Sequence, residues 1–196
     1  MLTAERLFAE YGVFAISNRQ ISEAAGQGNN TAVSYHFGSK TGLVRAIVRR
    51  HTDEIERLRI RQIDALTDPG LRDWVACLVR PNAEHMAASG NTTWFCRFSA
   101  QVMTDPALNG IVVEESLGAP SLRQVLDGLS ACLPQLPAEV RRERGAMARH
   151  LLVHVFAEHE GAVSEGSEPI RGSWQRTATG LIDAITGMLL APATRV

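Results

Sequence analysis

Apolar positions recur along the chain at three- and four-residue intervals, and no alternating run of useful length interrupts them. Ala4, Leu7, Phe8 and Tyr11 mark one face of a first helix, which Gly12 ends. Ser17 or Asn18 caps a second helix through Ala25, with Ile21 and Ala24 facing inward, and Gly26 stops it. Asn29 or Asn30 caps a short third helix to about His36, and Ser39 caps a fourth. In that fourth helix Leu43, Ile47, Ile55, Leu58 and Leu66 keep one apolar stripe. The helix therefore runs to about residue 66, a length of roughly 40 Å at ~1.5 Å per residue. Asp68-Pro69-Gly70 breaks it.

Further helical patterns cover about 71–88, 94–104, 107–117 and 121–133, with breaks at Gly90, Asp105-Pro106 and Ala119-Pro120. Pro81 is expected to kink or interrupt the first of these. Two long helices close the chain, over about 138–160 and 168–190, separated by the Gly/Ser/Glu-rich stretch 161–168. No internal repeat is visible. The pattern predicts an all-α protein with a small three-helix head, a long connecting helix and a helical body.

Composition narrows the function. An apolar content of 45% over 196 residues is enough to bury a real core. The net charge of −1 is unevenly spread: residues 1–61 sum to +3 and residues 62–196 to −4. A basic front on an acidic body suits a chain that meets a polyanion with one end. Cys77, Cys96 and Cys132 show no zinc spacing and read as reduced thiols, which points to the cytoplasm. No signal peptide leads the chain, and no apolar run approaches the ~20 residues of a membrane span. Gly38-Ser39-Lys40-Thr41 is not a phosphate-binding P-loop, because the upstream glycine and the preceding strand are missing. No cofactor is expected.

The window from Ala25 to Lys40 holds Gln27, Gly28, Asn29, Asn30, Thr31, Ser34, Tyr35 and His36 between two helices. Helix, short turn and short helix is the layout of a helix-turn-helix, whose second helix enters the major groove of DNA. Asn29, Asn30, Thr31 and Ser34 would then face the bases, with Gln27 in the turn, since amides and hydroxyls suit base edges. Tyr35, His36 and Lys40 follow where phosphate oxygens would lie. A tight αα-corner packed in a helical bundle accounts for the same glycines and caps.

Three motifs resemble the N-terminal domain of the TetR family of bacterial transcriptional repressors. They are Ala4-Glu5-Arg6-Leu7-Phe8-Ala9-Glu10-Tyr11-Gly12, Ile21-Ser22-Glu23-Ala24-Ala25-Gly26 and Tyr35-His36-Phe37-Gly38-Ser39-Lys40. The resemblance spans about residues 3–50 and divides the chain into a DNA-binding domain, 1–50, and an effector-binding and dimerisation domain, 51–196. It implies a homodimer that binds a palindromic operator in double-stranded DNA and is released by a small-molecule effector, without enzymatic activity. It adds Ser17 as a phosphate contact and Arg19 or Gln20 as base contacts, and it makes Phe37 a core aromatic. The interval from Ala25-Gly26 to Phe37 is one residue longer than the family's usual turn. The chain opens at Met1-Leu2-Thr3 without the basic arm of many members, so minor-groove contacts from an arm are not expected.

The body offers an apolar ligand lining of Trp74, Cys77, Leu78, His85, Met86, Trp94, Phe95, Phe98, Val102 and Met103. Each could equally be plain core. His51 sits in the stripe of the long helix, either as a group that feels domain movement or as a satisfied buried histidine. The resemblance places a four-helix dimer interface on the closing helices. Its candidates are Met147, Leu151, His154 and Val155 on one helix and Gly180, Leu181, Ala184, Ile185 and Met188 on the other. Packing within one chain is the alternative. His150, His154 and Glu158 share a helix face and allow a second class of function, a small all-α metal enzyme. A constitutive DNA binder without effector is the third.

Overall fold

In the computed structural model, residues 1–26, 32–90, 93–133, 135–170 and 172–193 are described. Their helices are α1 Leu2–Tyr11, α2 Asn18–Ala24, α3 Ala32–Phe37, α4 Lys40–Asp64 and α5 Leu71–Ser89, then α6 Phe95–Thr104, α7 Asn109–Gly118, α8 Pro120–Cys132, α9 Ala138–Ser164 and α10 Trp174–Leu190. No strand occurs among the described residues, so the all-α expectation holds.

Local signals set most of the boundaries. Ser17 and Gln20 form a reciprocal capping box at the start of α2. The Ser39 hydroxyl accepts the Gly42 amide at the start of α4. Three boundaries differ from the sequence pattern. The helix α5 passes through Pro81 unbroken. The proline withholds a donor from the Cys77 carbonyl, and Arg59 Nε supplies one from α4 at 3.2 Å. The helix α9 continues through Gly161 to Ser164, because its last turns pack on α6. The helix α10 begins only at Trp174, where the Ser173 hydroxyl accepts the Arg176 amide.

Three apolar clusters result. The first joins Phe8 of α1, Ile21 of α2, Val33 of α3 and Leu43, Val44, Ile47 and Val48 of α4 to Phe98 and Val102 of α6, Leu108 just before α7 and Ile111 of α7. The head is thus packed onto the body through α6 and α7. The second lies between α5, α9 and α10, with Val75, Val79, Met86, Phe156, Ile182 and Ile185 at its centre. The third is small, formed by Ile63, Cys77 and Val125 with Trp74 against them. There the Trp74 indole lies on Gly128 of α8, and a Cβ on that glycine would come within 2.3 Å of it.

Two carboxylates, Glu160 buried and Glu56 half-buried, cap helices other than their own. The N-cap residues of α6 and α8 are Trp94 and Ala119, neither of which has a capping oxygen on its side chain. Glu160 of α9 accepts the amides of Cys96 at 3.0 Å and Arg97 at 2.9 Å. Glu56 of α4 accepts the Ser121 amide at 2.8 Å and the Ser121 hydroxyl. Helix N-termini carry orphan donors and positive potential, which suits both carboxylates. Burial still pushes the Glu160 carboxyl above its usual range, against the Arg97 and Cys96 amides that lower it. At the other end of α9, Arg144 donates to the carbonyls of Leu189, Ala191 and Pro192 and closes the C-terminus of α10.

Candidate nucleic-acid interface and ligand cavity

The head presents α2 and α3 outward. Ser34, Tyr35 and His36 are exposed, Tyr35 at 83%, with the Tyr35 and His36 rings edge to face at 5.1 Å. An unburied phenol beside an imidazole offers hydrogen-bond donors to an anionic surface. Ser17, Arg19 and Gln20 are also exposed. Ser17 and Gln20 are engaged with each other in the capping box, and Arg19 Nε lies 2.7 Å from Glu23 Oε1. A pair this exposed is weak and can be exchanged for phosphate. Gln27, Asn29, Asn30 and Thr31 lie outside the described residues.

Lys40 is tied into the head itself. Its Nζ donates to the carbonyls of Val13 at 3.2 Å and Ile16 at 2.5 Å, within the loop between α1 and α2. An ammonium has three protons, so one remains for a phosphate oxygen. The same contacts fix the start of α4 to the loop that leads into α2. Gly42 holds α3 equally close: a Cβ there would meet the Phe37 carbonyl oxygen at 2.0 Å. Phe37 is half-buried against the head cluster.

Two sets of directed contacts tie the head and α4 to the body. Arg45 of α4 bridges Glu115 at 2.6 Å and Glu114 at 2.9 Å on α7, and Arg49 joins Glu115 at 3.1 Å. Despite the cost of burial, hydrogen bonds from Arg49 and Arg45 hold the Glu115 carboxyl below its usual range. The second set is buried at Glu5 and His51 and half-buried at His85. Glu5 Oε2 lies 3.0 Å from His51 Nε2, and His51 Nδ1 lies 2.8 Å from His85 Nε2. Burial and the neighbouring His51 and Arg50 push His85 down to about 4.

The ten candidate ligand residues do not share one interior. Trp74 lies on Gly128, Cys77 is buried beside Arg59, and Leu78 bridges the second and third clusters. His85 belongs to the histidine pair, and Trp94 is covered by the Arg97 guanidinium at 4.6 Å. Phe98 and Val102 serve the head cluster, with Phe98 6.2 Å from Phe8, and Met103 is buried. Only Met86 and Phe95 of the ten line the cavity of about 40 Å³ between α5, α6 and α9. Its other walls are Asn82, Cys96, Ser99, Leu152, Val153 and Phe156. Cys96 and Ser99 fall in helical register with the aromatic run, so the sequence carried a signal for them. The α9 residues carried none, since only the folded chain brings that helix here. The Ser99 hydroxyl is buried and has no hydrogen-bond partner.

On the closing helices, Met147, His154 and Ala184 are exposed, and Leu151, Val155, Gly180 and Met188 are half-buried. Leu181 and Ile185 point the other way, into the chain's own second cluster. His150 and His154 stack 6.2 Å apart on the exposed face. No group of three histidine, cysteine or acidic residues suited to a metal occurs among the described residues. Nor is any described helix long and apolar enough to cross a membrane.

Comparison with known proteins fits this architecture. No curated protein matches the chain. The crystal structure of Mycobacterium smegmatis AmtR superposes with a TM-score of 0.59 at 18% identity, covering 94% of this chain and 83% of that one. That of PfmR, a TetR family transcriptional regulator from Thermus thermophilus, gives 0.52 at 20% identity, covering 94% and 95%. Residues 1–47 match the bacterial regulatory proteins of the tetR family, and residues 76–188 match the tetracyclin repressor-like C-terminal domain. With a helix-turn-helix head, a helical body and a match to each, this chain belongs to the TetR family of bacterial transcriptional regulators.

Proposed function

We propose that the protein is a homodimeric repressor that binds a palindromic operator and leaves it when a small molecule enters the body. The observation that carries this is the layout of the head. An exposed Tyr35-His36 edge and the α2 surface sit on a frame locked to α4 by Lys40, Gly42 and Phe37. A rigid head on one end of a 25-residue helix keeps a fixed spacing from a second head only if the bodies are joined. The exposed strip of Met147, His154, Ala184 and half-buried Gly180 and Met188 supplies a face for that joint, with Gly180 and Ala184 allowing close helix approach.

The effector enters at the cavity between α5, α6 and α9. Its walls of Met86, Phe95, Leu152, Val153 and Phe156 suit an apolar body, and the unpartnered Ser99 hydroxyl suits one hydrogen-bonding group. The working ligand is therefore a small, uncharged, mostly apolar molecule. The protein acts in the cytoplasm, where its DNA lies.

Selection of random duplex DNA by the full-length protein, followed by affinity against salt, tests the reading. A recovered palindrome with a steep salt slope supports a dimeric reader. Weak binding without sequence preference removes it. A screen of small neutral compounds against the recovered duplex then separates a released repressor from a constitutive binder.

A further inference from the structure

A hydrogen-bonded chain of buried Glu5 and His51 and half-buried His85 crosses from α1 through α4 to α5. Glu5 is 1% and His51 5% exposed, so neither has water as a substitute partner. Each link is a directed bond. At 2.8 Å the two imidazoles face each other through one proton, so a shift of His51 disturbs both neighbours together. A buried carboxylate that loses its partner is strongly disfavoured, so Glu5 and with it α1 must follow the ring. The apolar contact of Phe8 with Phe98 between α1 and α6 lacks that directionality and tolerates sliding.

Phe95 of α6 joins this chain to the cavity. Its ring lies flat on His51, with centroids 3.9 Å apart and planes 11° apart. Phe95 also forms the cavity wall with Met86 and Ser99. At about 40 Å³ the cavity has room for only a few waters, so an organic occupant must displace a wall. Phe95 is the wall whose displacement unstacks His51.

We infer that occupancy of the cavity is transmitted to the reading head through Phe95, His51 and Glu5, the buried bonds acting as the switch between two positions of α1. The inference rests on the reading of the protein as an effector-responsive DNA binder. It names the route by which the effector acts.

The test uses a tethered occupant in place of the unidentified effector. Ser99→Leu places an apolar side chain in the cavity of the full-length protein, alone and combined with Glu5→Met. Amide hydrogen exchange in α1 and affinity for the selected duplex are read for all four proteins. Expected is about tenfold faster exchange across α1 and about tenfold weaker DNA binding in Ser99→Leu, within the usual range of coupling between sites. In the Glu5→Met background, which has no oxygen to accept from His51 Nε2, Ser99→Leu adds less than about twofold to either, because the link is already cut. The inference is overturned if Ser99→Leu alters exchange only in α6 and α9. Equal effects on α1 in both backgrounds also overturn it, and assign the route to Phe8 and Phe98. Should Ser99→Leu fail to fold, Phe95→Leu removes the ring from His51 without filling the cavity, and the same α1 signature is required of it. If the α1 signature appears but even the wild type recognises no duplex, the transmission stands and the DNA reading falls. If the wild type reads its duplex and the signature is missing, the reverse holds.

Discussion

Arg59 of α4 donates from Nε to the Cys77 carbonyl on α5 at 3.2 Å, the carbonyl whose helical donor Pro81 has removed. The same guanidinium reaches Ser121 of α8 at 3.3 Å and Glu56 on its own helix at 3.4 Å. One buried cation thus repairs a proline defect and balances the carboxylate that caps α8. Arg59→Met should therefore destabilise the fold by about 3–5 kcal/mol, the usual cost of breaking a buried charge pair. Adding Pro81→Ala returns an amide to Cys77 and should recover about 1 kcal/mol relative to the sum of the single changes. Urea unfolding of the four proteins measures this, and strict additivity would refute the repair.

Gly128 gives Trp74 its place. A Cβ there would stand 2.3–2.7 Å from three indole atoms, so Gly128→Ala must push the ring or α8 aside. Overpacking of this kind costs about 1–3 kcal/mol. In a Trp74→Leu background the same substitution should cost much less. Equal costs in both backgrounds would show that the indole is not what Gly128 accommodates.

His85 makes stability depend on acidity. Burial lowers its affinity for a proton from the ordinary 6.5 to about 4, so the unfolded chain binds that proton first. The contribution is fully present above pH 6.5 and is lost as the pH falls towards 4. Solvent reaches part of the ring and screens it, so the loss amounts to about 1–2 kcal/mol. Burial against Thr177 and Trp174 also lowers the proton affinity of His159, which acts in the same direction. His85→Gln should flatten the His85 part of the slope and leave the rest. Denaturation midpoints between pH 4 and 7 decide it; unchanged slopes would place the titration elsewhere.

Lys40 and Tyr35 should separate under mutation. Tyr35→Phe removes a hydroxyl from an 83% exposed ring and should weaken DNA binding with stability unchanged to within about 0.5 kcal/mol. Lys40→Ala removes the bonds to Val13 and Ile16 and should cost about 1–3 kcal/mol of stability. It should also weaken binding to all sequences and lower the salt slope by up to about one. A Lys40→Ala protein as stable as wild type would mean that these carbonyl contacts carry no weight.

The amino-acid sequence by itself determined the helices and their order. Capping residues such as Ser17 and Ser39, breakers such as Gly12, and the three- and four-residue spacing of apolar side chains act over a few residues, so they are legible locally. The three N-terminal motifs likewise carried the family. The tertiary structure alone decided what each helix face meets. Periodicity marks Leu181 and Ile185 as apolar but not whether they face this chain's α5 or a second copy, and the fold turns them into the second cluster. It divides Trp74, Met86 and Phe98 among three interiors that spacing would have merged. It turns the Lys40 ammonium onto Val13 and Ile16, and it carries Glu160 across 64 positions to cap α6. The physical reason is the same in each case. An apolar stripe or a charge states what a side chain needs, and only the packing of distant segments supplies the partner that meets the need.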